Sequence, residues 1–125
     1  MIIDTDVLIW HLRGNQNAQK IIAANIPFRI SVISYLELIQ GVSNKKDLRL
    51  LQKQILNWAA EILQINEKIS TRAMFLVENF YLNHSMEYGD AIITTTAIEN
   101  NDILLTGNDR HYNFIPDLKI IKFKK

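Results

Sequence analysis

The stretch Met1-Ile2-Ile3-Asp4-Thr5-Asp6-Val7-Leu8-Ile9 joins a short apolar run to a group of acidic and hydroxyl residues. Met1–Ile3 has the length and the isoleucine content of a buried strand, and the apolar residues further on predict a helix over Val7–Leu12. Asp4 therefore stands at the carboxyl end of a predicted strand. The alternative interpretation is that Asp4 or Thr5 only caps the helix that follows.

The same alternation of strand-length and helix-length segments continues along the chain. Apolar residues recur every three or four positions in two segments, which predicts amphipathic helices there. Strands that alternate with helices indicate βαβ units and an α/β fold, with a central, mostly parallel sheet of four or five strands covered on both faces. The predicted strands are Met1–Ile3, Phe28–Ile33, Ile62–Ile65, Ile103–Leu105 and Lys119–Phe123, and the helical spacings run from Leu48 to Trp58 and from Ile69 to Phe80.

The segment Ala91–Ile98 fits two structures. Its β-branched residues favour a strand by propensity. The flanking residues favour a helix, because Gly89 and Asp90 look like a turn and an N-cap and residues 99–102 look like a helix end. We therefore predict a helix with Asp90 as its N-cap.

The composition excludes several classes of protein. Hydrophobic residues make up 48% and charged residues 22% of the 125 residues, with no cysteine, so we expect one globular domain over residues 1–125. Thiolate zinc sites and cysteine nucleophiles are excluded. The chain has neither a signal peptide nor an apolar run of the ~20 residues that a membrane span needs, which predicts a cytoplasmic protein. The net charge of +1 argues neither for nor against a nucleic-acid partner.

Three acidic residues lie where an α/β sheet places its ligands, beyond the carboxyl ends of the strands. Asp4 follows the first strand and Asp90 opens the last predicted helix. Glu37 is surrounded by apolar side chains shortly after the second strand, and glutamate is rarely buried unless it is paired. For Glu37 a satisfied structural carboxylate is the alternative, and for Asp90 the alternative is a helix cap.

A fourth polar group follows the strand Ile103–Leu105. Thr106 offers a hydroxyl, Asn108 an amide oxygen and Asp109 a carboxylate, although the same residue types are common in simple turns. All four groups fall near one edge of the predicted sheet. Like charges ~4 Å apart repel by ~4 kcal/mol at an effective dielectric of about 20, so such carboxylates need protons or a cation between them. Oxygen ligands without cysteine or a histidine pair favour Mg²⁺ or Mn²⁺ over Zn²⁺.

Four segments of the chain, in order and with the expected spacing, resemble the motifs of PIN domains. The size of the chain and this compact motif set are similar to those of the VapC-type toxins of prokaryotic toxin–antitoxin modules. The four segments are Asp4–Ile9, Ile33–Gly41, Gly89–Ile93 and Leu104–Tyr112.

The resemblance implies a three-layer α/β/α fold and an Mg²⁺- or Mn²⁺-dependent endoribonuclease. It also implies a homodimer, and inhibition by a cognate antitoxin whose peptide plugs the acidic site. Carried over to this sequence, Asp4, Glu37 and Asp90 would hold the metal, and Thr106 would orient a carboxylate through its hydroxyl. Asp6 lies where the family often has Asn or Ser, so we expect a secondary role for it.

The sequence departs from the fullest family pattern at Asn108, where many relatives carry aspartate. Asp109 is next to it and is the candidate substitute, and a neutral residue here would weaken a second metal site. As mechanism we expect a carboxylate, Asp90 or Asp109, to accept the proton of a water that attacks the phosphodiester in line. Two rival activities stay open at this point: a PIN-like module that binds RNA without cutting it, and a phosphatase of the haloacid-dehalogenase type, whose nucleophile would be Asp4.

A response-regulator receiver is a further rival, because it shares the size and the fold class. It needs an aspartate after the third strand and a lysine after the fifth, and the sequence places Asn66 and Thr106 near the corresponding strand ends. His11, His84 and His111 show no metal-ligand spacing. We expect the stretch around His111 and Tyr112 to pack under the site.

Overall fold

The computed structural model describes residues 1–125 as five strands and six α-helices, with one turn of 3-10 helix at Asp109–His111. None of the helices combines the length and the hydropathy that crossing a membrane would require. In chain order the elements are β1 Ile2–Ile3, α1 Thr5–Leu12, α2 Gln16–Ala24, β2 Arg29–Ser31, α3 Val32–Gln40, α4 Lys45–Asn57, β3 Glu61–Leu63, α5 Glu67–His84, α6 Tyr88–Glu99, β4 Ile103–Thr106 and β5 Lys119–Lys122.

The five strands form one sheet in the order β3-β2-β1-β4-β5, and every neighbouring pair is parallel. The predicted sheet of four or five mostly parallel strands is therefore confirmed, and all of its strands are parallel. β1 lies at the centre, where Ile2 pairs with Leu104 and Ile3 pairs with Leu105. Because parallel strands share one direction, the residues that follow β1 and β4 meet at the same edge.

Helices cover both faces of the sheet and give three layers, as predicted. Neighbouring residues of the central strands point to opposite faces, so Ile3 and Leu105 join one apolar cluster while Ile2 and Leu104 join the other. The first cluster is closed by residues of α1, α2 and α4, with Trp58 fully buried in it. The second cluster is closed by residues of α5 and α6.

Side-chain caps fix where several helices begin. A short polar side chain before the helix accepts a hydrogen bond from an otherwise unpaired N–H of the first turn. The caps that make such a bond are Asp4, Asn15, Ser31, Asn44 and Asn66.

Several predicted boundaries were wrong. The second strand ends at Ser31 rather than Ile33, because Ser31 caps α3 and turns the chain into a helix. The third strand is Glu61–Leu63 rather than Ile62–Ile65. The predicted helix over Ala91–Ile98 is confirmed, but Asp90 is not its N-cap: α6 begins at Tyr88, so Asp90 lies in the first helical turn.

Candidate active site

Asp4 lies at the carboxyl end of the central strand and also caps α1. Its Oδ1 accepts the backbone N–H of Thr5 at 2.8 Å, and its Oδ2 accepts the hydroxyl of Thr106 at 2.8 Å. The two interpretations of Asp4, as a helix cap and as a site residue, are therefore compatible. The residue is 4% exposed, so its carboxyl group is held by the protein and has little access to solvent.

This burial makes the ionised form of Asp4 unfavourable. Burial, followed by the charge of Asp6, raises the pKa of Asp4 from an ordinary 3.8 to about 7, although hydrogen bonds from Thr106 and Thr5 act in the opposite direction. A pKa this high in a carboxyl group is typical of functional sites. Near neutral pH, Asp4 needs either a proton or a neighbouring cation.

Glu37 comes to the same place from α3. Its Oε1 accepts the hydroxyl of Thr5 at 2.9 Å, and that hydroxyl also lies 2.8 Å from Ser34 Oγ. Burial raises the pKa of Glu37, the hydrogen bond from Thr5 lowers it, and the charge of Asp90 raises it again. Glu37 is thus close enough to Asp90 for the two carboxylates to repel each other.

Asp90 is connected to the site by Tyr112. The Tyr112 hydroxyl donates to Asp90 Oδ1 at 3.1 Å, and the tyrosine is 1% exposed. Burial, together with the charges of Asp4 and Asp90, raises the pKa of Tyr112, so this hydroxyl keeps its proton. The other carboxylate oxygen of Asp90 lies 3.3 Å from His111 Nδ1 at the surface. Tyr112 therefore stands between Asp4 and Asp90.

The polar group after β4 divides into two parts. The Thr106 hydroxyl donates to Asp4 and accepts the backbone N–H of Asn108 at 3.0 Å. Asp109 turns toward Lys122, whose Nζ lies 3.4 Å from its Oδ1. Thr106 is thus brought to the carboxylates, whereas Asp109 is held in a separate ion pair.

Asp6 fixes the loop that carries Thr106. Its Oδ2 accepts the backbone N–H of Gly107 at 2.9 Å, and a Cβ at Gly107 would lie only 2.6 Å from that oxygen. Burial raises the pKa of Asp6, and the Gly107 hydrogen bond partly counteracts it. Its other oxygen, Oδ1, is buried without a hydrogen-bond partner. Asp6 therefore serves the local structure and adds negative charge beside Asp4.

The structure thus brings Asp4, Glu37 and Asp90 to one edge of the sheet from three separate elements. As the side chains stand, no three His, Asp or Glu residues lie close enough together to hold a metal ion. The chemistry of the group nevertheless fits a hard divalent cation, because the three carboxylates offer only oxygen ligands and the negative charge of buried Asp4 is unfavourable without a compensating charge. Their assignment as metal ligands stays a prediction.

Sequence reasoning missed two features of this site. The stretch around His111 and Tyr112 was expected to pack under the site. Tyr112 does, but His111 is exposed at the surface, and the contacts of both residues with Asp90 were not foreseen. The link from Ser34 through Thr5 to Glu37 was also missed. Its one sequence signal is that Ser34 precedes Glu37 by three positions, so that the two side chains share a helix face.

The comparisons with known proteins agree with this fold. The sequence model of the PIN domain family matches residues 1–115. The chain belongs to the PIN domain family. Membership of the PIN domain family excludes two rival assignments, the phosphatase of the haloacid-dehalogenase type and the response-regulator receiver.

Individual proteins and solved structures show which members of the family this chain is similar to. Ribonuclease VapC10 of Mycobacterium tuberculosis is 31% identical over 126 residues, a match that covers 95% of this chain and 90% of that protein. The DNA-bound VapBC of Salmonella typhimurium contains a chain with a TM-score of 0.82 and 19% identity, covering 97% of this chain and 96% of that chain. A toxin–antitoxin complex from Klebsiella pneumoniae gives a TM-score of 0.77 and 24% identity, with coverages of 97% and 95%. At these identities the solved structures establish the common fold.

Proposed function

We propose that this protein is a metal-dependent endoribonuclease and the toxin of a toxin–antitoxin module. The observation that carries the proposal is the meeting of Asp4, Glu37 and Asp90 at one sheet edge, linked by Thr5 and Tyr112. These carboxylates occur in a chain that is similar over nearly its whole length to a named ribonuclease. Hydrolysis of RNA phosphodiester bonds is the chemistry that such a site supports.

Asp4, Glu37 and Asp90 are the residues that would hold an Mg²⁺ or Mn²⁺ ion. When bound, such an ion lowers the pKa of water and offsets the charge of the reacting phosphate. The high pKa of Asp4 supports this assignment, because a cation would remove the unfavourable burial of its negative charge. Thr106 keeps Asp4 in place by donating to the oxygen that Thr5 N–H does not use.

Asp90 is the better candidate to accept a proton from the attacking water. The sequence left Asp90 and Asp109 as alternative proton acceptors, and the Asp109 carboxylate already forms an ion pair with Lys122. The Tyr112 hydroxyl holds one oxygen of Asp90, and the second oxygen faces His111 Nδ1. His111 is 57% exposed, so a proton that reaches Asp90 has a short path to solvent.

The decisive experiment incubates the purified protein with total RNA, with and without Mg²⁺ or Mn²⁺. We expect metal-dependent fragments from the unchanged protein, and a loss of at least about 100-fold in Asp90→Asn and Glu37→Gln, because both lack a charged oxygen. Asp117→Asn is the matched control, since Asp117 is an exposed carboxylate that pairs with Arg72 away from the site.

Equal cleavage by all variants, or cleavage that survives EDTA, would contradict the proposal. RNA binding in the presence of metal without any fragments would instead support the non-catalytic RNA-binding alternative.

For the antitoxin, the structure offers a groove beside the site that is lined by both apolar and polar side chains. A cavity of about 760 Å³ lies between α1, α3 and α4, and Glu37 forms part of its wall. Exposed Leu12 and Leu50 line it together with Arg13. We propose that the antitoxin peptide binds in this groove and reaches Glu37 from it. The toxin assignment itself is tested by expression: induced expression of the unchanged chain should arrest cell growth, and expression of Asp90→Asn should not.

We also propose a homodimer, as the family resemblance implies. Large apolar side chains are exposed on adjacent parts of α5 and α6: Met74, Phe75 and Tyr88, of which Tyr88 is 76% exposed. Exposed apolar patches of this kind mark interaction surfaces. Light scattering on the purified protein measures the mass directly, and a monomer at all concentrations would contradict this assignment.

A further inference from the structure

Two buried hydroxyl groups connect α1 to α3 behind the candidate metal site. Thr5 Oγ1 lies 2.8 Å from Ser34 Oγ and 2.9 Å from Glu37 Oε1. Ser34 is fully buried and Thr5 is 7% exposed. Neither hydroxyl has another side-chain partner, so the three groups form one chain of hydrogen bonds that ends on a carboxylate.

The number of protons fixes the direction of this chain. A threonine hydroxyl has one proton to donate, and an ionised carboxylate can only accept. When Thr5 donates to Glu37, its bond to Ser34 persists only if Ser34 donates to Thr5. The order is then Ser34 to Thr5 to Glu37, and each bond polarises the next.

We propose that Thr5 and Ser34 are positioning residues that hold the Glu37 carboxylate in the orientation it needs to bind a divalent ion. The proposal rests on the function proposed above. Thr5 is suited to this task because its backbone N–H is bonded to Asp4 Oδ1 while its hydroxyl holds Glu37. One residue therefore sets the positions of two of the candidate ligands relative to each other.

The position of Glu37 explains why its carboxylate needs such support. Glu37 is exposed and lies on the side of α3 that faces the open groove. A glutamate side chain has several rotatable bonds, and fixing it in one rotamer costs conformational free energy. A hydrogen bond from a buried hydroxyl restricts Glu37 before any ligand arrives, so less of that cost falls on ion binding.

The test compares Thr5→Val, Ser34→Ala and the double variant T5V/S34A with Thr5→Ser. Valine keeps the shape of threonine without its hydroxyl, and serine keeps the hydroxyl. The double variant matters because removing both polar partners leaves no buried hydroxyl unpaired, so its stability should stay near that of the unchanged protein. Thr94→Val is the control, since Thr94 is a buried threonine whose hydroxyl has no partner.

Three quantities are measured: the free energy of unfolding without metal, Mn²⁺ binding to the RNA-free protein by electron paramagnetic resonance, and kcat and KM for RNA cleavage. For Thr5→Val and for the double variant we expect Mn²⁺ affinity and kcat about 10–100-fold lower, the range that partners behind metal ligands show. KM for RNA should change little, and Thr5→Ser should recover most of the loss.

The failure of this proposal can be told apart from the failure of the proposed function. If Glu37→Gln abolishes Mn²⁺ binding and cleavage while T5V/S34A keeps both, the positioning role is wrong and the nuclease assignment stands. If Mn²⁺ affinity falls only in variants that also lose stability, the contact is structural packing and the proposal is overturned. If Glu37→Gln itself binds Mn²⁺ and cuts RNA normally, both assignments are wrong.

Discussion

Replacing Asp4 by asparagine should make the metal-free protein more stable while removing its activity. Asparagine has nearly the same shape and carries no charge. The pKa of Asp4 is about 7 in the folded protein against 3.8 for an unhindered aspartate, and at about 1.36 kcal/mol per pKa unit the ionised form costs the fold roughly 4 kcal/mol. The amide can replace only one of the two hydrogen-bond acceptors, which offsets about 1 kcal/mol.

The pH dependence follows from the sign of this shift. The folded pKa is raised, so the carboxyl group is protonated in both states below about pH 4 and has no effect on stability there. Between about pH 4 and pH 7 the unfolded chain ionises first, and the unchanged protein loses stability as the pH rises. We therefore expect Asp4→Asn to be more stable by about 3 kcal/mol at pH 8 and by less than about 1 kcal/mol at pH 5.

Urea denaturation in EDTA at both pH values, followed by the fluorescence of buried Trp58, measures the difference directly. Comparing variant with unchanged protein at each pH cancels the contributions of Asp6 and Glu37, whose raised pKa values act in the same direction. Adding Mn²⁺ at pH 8 should stabilise the unchanged protein and leave the variant almost unaffected. An Asp4→Asn variant that is less stable than the unchanged protein at pH 8 would contradict this prediction. A difference in the free energy of unfolding that does not grow with pH would contradict it as well.

Three further changes test other parts of the structure. Gly107→Ala should destabilise the protein by about 1–3 kcal/mol, because the new Cβ would meet Asp6 Oδ2 at 2.6 Å; an unchanged urea midpoint would contradict this. Asp102→Asn should lower stability by about 1–2 kcal/mol at pH 7. Burial opposes the ionisation of Asp102, but the bonds from the chain's amino group and Arg29 outweigh it and lower its pKa, so the loss should disappear in acid as the pH falls through that pKa. Tyr112→Phe should slow RNA cleavage about tenfold while the circular dichroism spectrum is retained; full activity would show that its hydroxyl bond to the α6 carboxylate has no part in the reaction.

Periodicity and strand composition were sufficient to predict the fold. Met1–Ile3 and Ile103–Leu105 are short and wholly apolar because both faces of the central strands are covered, and a parallel sheet is the arrangement that buries such runs. The helix α2 was missed, since Gln16–Ala24 is only nine residues long and buries only Ala18 and Ile22. Local patterns therefore predicted the layers but not every helix.

Details of the site depended on long-range contacts that a single sequence does not contain. The start of α6 was misplaced because Glu87 precedes the helix without making a side-chain cap bond, so the sequence held no cap signal three residues before Asp90. Asp109 meets Lys122 because the pairing of β4 with β5 sets Lys122 beside Thr106, three positions before Asp109. The placement of Asp4, Glu37 and Asp90 near one edge of the sheet was expected from where each lies relative to a strand end or a helix start. Of the hydroxyl groups that hold them, Thr106 was expected to orient a carboxylate, whereas Thr5, Ser34 and Tyr112 were not foreseen in this role.

The order of the strands also bears on when the candidate site can form during folding. Asp4 follows β1, and its partner Thr106 lies 102 positions later in the chain, on the strand that pairs with β1. The centre of the sheet therefore stays open until β4 has been made. Asp4 gains the hydroxyl that holds its carboxylate only when two distant parts of the chain have come together.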